Sequence, residues 1–143
     1  MRSSTLAIAA ALGATPALAQ PGDIWDLIGQ IQIDELVTEN SYEVRKSFPA
    51  GISETDQEIE ISGYVAPMFP GEQVRELIMV SDMGFCPFCG DPDHGASLQV
   101  SLADPIGMID EGQRITLRGQ LSRVNDPETW QAVVLKEAQV VTR

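Results

Sequence analysis

Apolar and polar residues alternate at every second position in three separate stretches of the chain, which is the period of a β-strand with one buried face. The three stretches are residues 58–65, 96–102 and 114–121. Gly63 and Gly119 lie inside two of them, where the missing side chain allows a sharp bend. Strongly bent strands close readily into small barrels. We therefore expect a mainly β chain that forms a small five- to six-stranded antiparallel OB-like barrel.

Two further segments complete the predicted barrel. Residues 75–81 are apolar on both faces, which is typical of a fully buried strand, and Met79 is expected to pack in the core. Asp104-Pro105 is predicted to end the strand at 96–102. Residues 130–141 are expected to supply one or two closing strands. Nothing in the sequence indicates a second domain.

The segment before the barrel has a different period. In residues 23–31 apolar side chains recur at i, i+3, i+4 and i+7, which predicts a short amphipathic helix with Asp23 as its N-cap. Residues 42–48 are a possible first strand. The predicted division of the chain is a signal peptide at 1–19, an N-terminal extension at 20–50 and an OB-like β-barrel domain at 51–143.

The first residues have the pattern of a bacterial export signal. Arg2 begins a short basic region, residues 6–12 are apolar, and Ala17-Leu18-Ala19 fits a small-x-small cleavage site. The apolar run is too short to span a bilayer, so we expect no membrane insertion. We expect cleavage after Ala19 and a periplasmic mature protein.

The charge of the chain bears on its partners. The formal net charge is -12, and removal of the leader makes it one unit more negative. Such a surface repels nucleic acid and favours cations. Aromatic residues are only 6% of the chain, too few for a base-stacking surface. Trp25 and Trp130 are predicted to be core or barrel-end side chains.

Both cysteines and the only histidine lie in one segment, Cys86-Pro87-Phe88-Cys89-Gly90-Asp91-Pro92-Asp93-His94. A C-x-x-C turn places two thiolates close together, and an imidazole or a carboxylate can add to them in a tetrahedral site. We predict a metal site formed by Cys86, Cys89, His94 and Asp93, with Asp91 as an alternative to Asp93. Zinc is the first choice of metal and copper the second, because both accept thiolate and imidazole ligands.

Other interpretations of the same segment remain open. In an oxidising compartment Cys86 and Cys89 can form a structural disulfide, which would leave a protein-interaction or scaffold domain. Thiol–disulfide redox chemistry is less favoured, because Gly90-Asp91-Pro92 does not continue the motif into a helix. The single histidine lies in this segment and no G-x-S-x-G motif occurs, so we assign no catalytic residue and predict a non-enzymatic protein.

Several short motifs occur in a recognisable order: Ile61 to Pro67, Glu76 to Val80, the C-x-F-C-G turn, Leu98 to Val100, and Ile115 to Gly119. This order resembles the exported bacterial family known as domain-of-unknown-function 3299, over roughly residues 55 to 142. The resemblance implies an OB-like barrel without an established activity. It also implies a link to ABC-type permeases and metal uptake, so an envelope transporter is a candidate partner. Cys86 and Cys89 match the family's cysteine motif; the oligomeric state stays open.

Overall fold

The computed structural model describes residues 21–68, 71–82 and 96–141. This part of the chain is mainly β, as the sequence predicts. It contains one helix and seven strands, in the order α1 (Pro21–Gly29), β1 (Gln32–Val37), β2 (Tyr42–Ser47), β3 (Gln57–Pro67), β4 (Gln73–Val80), β5 (Ser97–Gly107), β6 (Arg114–Arg123) and β7 (Val133–Val140).

Five strands form a closed barrel with the neighbour order β3-β4-β5-β7-β6, and β6 pairs with β3 to complete the ring. Four of the five neighbouring pairs are antiparallel. The fifth pair, β5 with β7, is parallel, because β7 follows β6 and inserts between β6 and β5. This five-stranded ring confirms the predicted OB-like barrel, and its closure leaves no open sheet edge in the ring itself.

The barrel interior holds the alternating apolar residues that the sequence analysis identified. Burying them away from water supplies the main favourable free energy of folding. Met79 is fully buried, as predicted. The other fully buried side chains of the ring include Ile61 and Val65 from β3, Leu77 from β4, Leu98 and Val100 from β5, Leu117 from β6 and Leu135 from β7.

Both mid-strand glycines lie where the backbone leaves no room for a side chain. A Cβ atom on Gly119 would lie 2.7 Å from the carbonyl oxygen of Lys136, and one on Gly63 would lie 2.8 Å from the carbonyl oxygen of Val80. Opposite Gly119 the β6–β7 register shifts, and Glu137 has a φ of 49°. This irregularity is a β-bulge in β7, which increases the local bend of the barrel.

Helix α1 packs its apolar side against the barrel. Ile24 and Ile28 belong to the barrel core, and the indole Nε1 of Trp25 donates a 2.7 Å hydrogen bond to the carbonyl oxygen of Ser62. The helix begins at Pro21, a residue suited to the first turn, so Asp23 lies inside the helix and the predicted N-cap is wrong. Within the described ranges, no helix has the length and apolarity needed to cross a bilayer.

The predicted strand at 42–48 exists as β2, but it is not part of the barrel. Among the strands that the structure describes, it pairs with β1 alone, and the two form a separate antiparallel sheet; the sequence analysis did not identify β1. We call this sheet the N-terminal hairpin. Strand β1 has no buried side chain and only one half-buried side chain, so it lacks the apolar alternation by which strands are recognised.

Two smaller expectations are also corrected. Strand β5 continues through Asp104-Pro105 to Gly107. Its register with β4 shifts next to Pro105, so the proline, which has no N–H, does not have to donate a ladder hydrogen bond there. Trp130 is not a core residue, because 52% of its surface is exposed, and it lies in the connection between β6 and β7. Trp25 is partly buried against the core, as predicted.

Candidate functional site

The four predicted metal ligands, Cys86, Cys89, Asp93 and His94, lie outside the described residues, and so do Asp91 and the predicted signal peptide. The structure describes the two ends of the cysteine-containing segment, which are Asp82 and Ala96.

The two ends of the segment meet at one point on the barrel rim. Strands β4 and β5 pair as far as Val80 and Ser97, and one further residue on each side continues the contact. The backbone N–H of Ser81 donates to the carbonyl oxygen of Ala96, and the backbone N–H of Ala96 donates to Oγ of Ser81, both at 3.0 Å. The segment that carries the sulfurs therefore leaves and rejoins the barrel at a closed hairpin base.

This closure matters for a metal site. Bringing the two ends of a chain segment together costs conformational entropy. Here the pairing of β4 with β5 already holds the two ends together in the folded barrel. The barrel therefore already holds together the two described ends between which the cysteines lie in the sequence.

An apolar groove of about 400 Å³ lies next to this base. One wall is formed by the end of α1 and the start of β1, with Ile28 and Ile33. The barrel contributes Ile78 and Ala96 to the lining, so Ala96 both closes the hairpin base and lines the groove. Further lining comes from the connection between β6 and β7, which includes Trp130.

The N-terminal hairpin is fastened to the same β6–β7 connection. The backbone N–H of Val44 donates to the carbonyl oxygen of Pro127 at 2.7 Å. The ammonium group of Lys46 donates to the carbonyl oxygens of Val124, at 3.0 Å, and Asp126, at 2.8 Å. Burial lowers the pKa of Lys46 below its ordinary value, and the negative charge of Asp126 acts in the opposite direction.

A second anchor joins the hairpin to the rim of the groove. The indole Nε1 of Trp130 donates a 2.7 Å hydrogen bond to the hydroxyl oxygen of Tyr42. Both rings remain well exposed, and Val37, the partner of Tyr42 across the hairpin, is 69% exposed. The hairpin, the groove and Trp130 thus form one continuous surface with exposed apolar groups.

Sequence reasoning missed this surface because its walls come from segments far apart in the chain. The available signal was the spacing of Ile28, Ile31 and Ile33, which continues an apolar face beyond the end of α1. Among residues 21–68, 71–82 and 96–141, no group of three or more histidine, cysteine, aspartate or glutamate side chains is placed to hold a metal ion.

No family model, curated protein or solved structure matches this chain. The resemblance to domain-of-unknown-function 3299 therefore stays a prediction from the motifs.

Proposed function

We propose that this protein binds a transition metal, zinc first and copper second, through Cys86 and Cys89, with His94 and Asp93 as additional ligands. In this proposal the protein acts in the periplasm without catalysing a reaction, and it hands metal to, or receives metal from, a component of an ABC-type envelope transporter. The sequence supports the donor set, since thiolate, imidazole and carboxylate are established ligands of zinc.

One structural observation supports the proposal most directly. The pairing of Ser81 with Ala96 holds together the two described ends between which all four ligand candidates lie in the sequence. Because bringing the ends of a segment together costs conformational entropy, ends that are already paired favour a small metal site between them. The acidic chain adds an attraction for cations that does not depend on the individual ligands.

The test uses the full chain, expressed in a bacterial host that can export it and purified without chelator. We expect about one equivalent of zinc per chain by elemental analysis, and two thiols that react with a thiol reagent only after metal removal or denaturation. Zinc content should fall as the pH is lowered, because protons compete with the metal for the thiolates.

Variants identify the ligands. Cys89→Ser should abolish stoichiometric zinc, and His94→Ala should weaken binding, whereas Met108→Leu removes a well-exposed sulfur on another part of the barrel and should leave the zinc content unchanged. A Cys89→Ser protein that keeps its metal would contradict the ligand assignment. Two metal-free cysteines that stay unreactive until a reductant is added would instead support the scaffold function with a Cys86–Cys89 disulfide.

A further inference from the structure

Strand β1 has one open edge. Its full length pairs with β2 on one side, from Gln32 opposite Ser47 to Val37 opposite Tyr42. Within the part of the chain that the structure describes, no other strand pairs with β1. Alternate backbone N–H and C=O groups of a strand point to its second side, where they can accept another strand. The barrel ring has no such edge, because it closes on itself.

The apolar groove begins at this strand. Ile33 is the only half-buried side chain of β1, and it lines the groove together with Ile78 on the barrel wall and Trp130. A volume of about 400 Å³ lies within the usual range of ligand pockets, and it is ample for one large apolar side chain. A strand added beside β1 would direct every second side chain to the face of Ile33, so one of them can enter the groove.

The charges on β1 indicate which kind of strand can bind beside it. A second copy of this chain would bring another strongly acidic protein to the same surface. In an antiparallel β1–β1 pair centred on the strand, Asp34 of one copy would lie opposite Glu35 of the other, twice in each pair. Like charges directly opposite each other on paired strands are destabilising. Self-association through this edge is therefore disfavoured, and a strand with basic residues at the central positions is favoured.

We propose that β1 binds an extended segment of a partner protein by strand addition, with basic side chains opposite Asp34 and Glu35 and an apolar side chain in the groove. Backbone hydrogen bonds to the open edge supply affinity, while the two carboxylates and the groove supply specificity. None of the described residues that form β1 or line the groove is a proposed metal ligand, so this proposal goes beyond metal binding and does not depend on it.

The probe is a synthetic peptide whose central sequence is Val-Thr-Lys-Arg-Ile-Thr, with Gly-Ser flanks and blocked ends. Aligned antiparallel to β1, it places arginine opposite Asp34, lysine opposite Glu35 and isoleucine opposite Ile33. Amide NMR titration of the full chain should show saturable shifts confined to β1, its neighbours and the Trp130 indole. We expect the amides on the open edge of β1 to exchange with solvent at least about tenfold more slowly when the peptide is bound.

Two altered peptides test the mode of binding. Methylation of alternate backbone nitrogens on the side that would face β1 should weaken binding at least about tenfold, which corresponds to about 1.4 kcal/mol. Replacement of the central Lys-Arg by Glu-Glu should have an effect of similar size. If the methylated peptide binds as well as the original peptide, strand addition is wrong. If the original peptide does not protect β1 at millimolar concentration, the proposal as a whole is wrong.

Matched protein variants test the location. The double variant Asp34→Lys with Glu35→Lys should weaken binding of the basic peptide at least about tenfold. The control, Glu72→Lys with Glu111→Lys, changes the net charge equally at exposed positions outside β1 and the groove lining. Equal losses of peptide affinity in both double variants would mean that the interaction is general charge attraction, and they would overturn the proposal. A dimer in sedimentation experiments that the changes in β1 abolish would also overturn it. Cys89→Ser should bind the peptide like the unaltered protein, which separates this result from the metal test.

Discussion

The barrel and the N-terminal hairpin are both built mainly from antiparallel strand pairs, but they differ in their edges and in the burial of their side chains. The barrel closes five strands around a shared apolar interior, and every strand has two neighbours. The hairpin has two strands and exposes most of its side chains, and no strand in the described part of the chain pairs with the second edge of β1. A pair of strands alone is marginally stable in water, so the hairpin depends on its anchors to the β6–β7 connection.

This difference separates two roles within one chain. Closure and burial make the barrel a well-packed base, against which the groove lies. The hairpin contributes little core but presents backbone groups and exposed apolar side chains, which are the features used in recognition. If the two parts have separate roles, the barrel and the hairpin should differ in local stability. Substitutions in each part, with measurement of the free energy of unfolding and of amide exchange, test this.

The largest effect is expected in the barrel. Leu117 is fully buried in β6, with Ile61 opposite it on β3 and Val140 opposite it on β7. Leu117→Ala removes buried apolar atoms and leaves a cavity, so we expect the free energy of unfolding to fall by about 3 kcal/mol in urea titrations. The control is Val37→Ala in the hairpin, which should change it by less than about 0.5 kcal/mol. Similar losses in both variants would remove the distinction between the two parts.

A smaller and more local effect is expected at Val44, the one buried side chain of the hairpin strands. Val44→Ala removes about two methylene equivalents of buried surface, worth about 1–2 kcal/mol. We expect amide exchange in β1 and β2 to become about tenfold faster while exchange in β6 stays unchanged. Equal acceleration in β6 would show that the hairpin opens only together with the barrel, and the two would then be one cooperative unit.

The barrel could be predicted from the sequence because apolar side chains, which the structure buries, alternate with polar ones along its strands. Residues 58–65 and 114–121 each show the face that the structure buries, and Gly63 and Gly119 mark the places where the backbone of a neighbouring strand approaches too closely for a side chain. Strand β1 was missed for the opposite reason. It is held by backbone pairing with β2 rather than by an apolar face, and pairing of that kind has no periodic signature in the sequence.

The candidate site likewise has a part that could be predicted from the sequence and a part that could not. The cysteine motif is local in the chain, so its donor set could be predicted, and the metal assignment remains a prediction because those residues are outside the described ranges. The groove depends on four segments that are distant in the sequence, at residues 28–33, 78, 96–99 and 130–133, so no window of sequence contains it. The parallel pairing of β5 with β7 was likewise invisible, because it follows from the closure of the ring and not from either strand's own residues.

The smallest effect is expected at the contact between the hairpin and Trp130. Tyr42→Phe removes the hydroxyl oxygen that accepts the hydrogen bond from the indole Nε1, and a net contribution of about 0.5 kcal/mol is reasonable for an exposed pair. The Trp130 indole proton should shift in NMR spectra and exchange faster, while the Trp25 indole, which is bonded to the Ser62 carbonyl oxygen, should not change. Tyr64→Phe is the matched control, since Tyr64 lies in β3, where it pairs with Val80 in the barrel ring. If Tyr42→Phe left the Trp130 resonance unchanged, this hydrogen bond would not hold the hairpin against the groove, and the backbone and lysine contacts to residues 124–127 would have to do so alone.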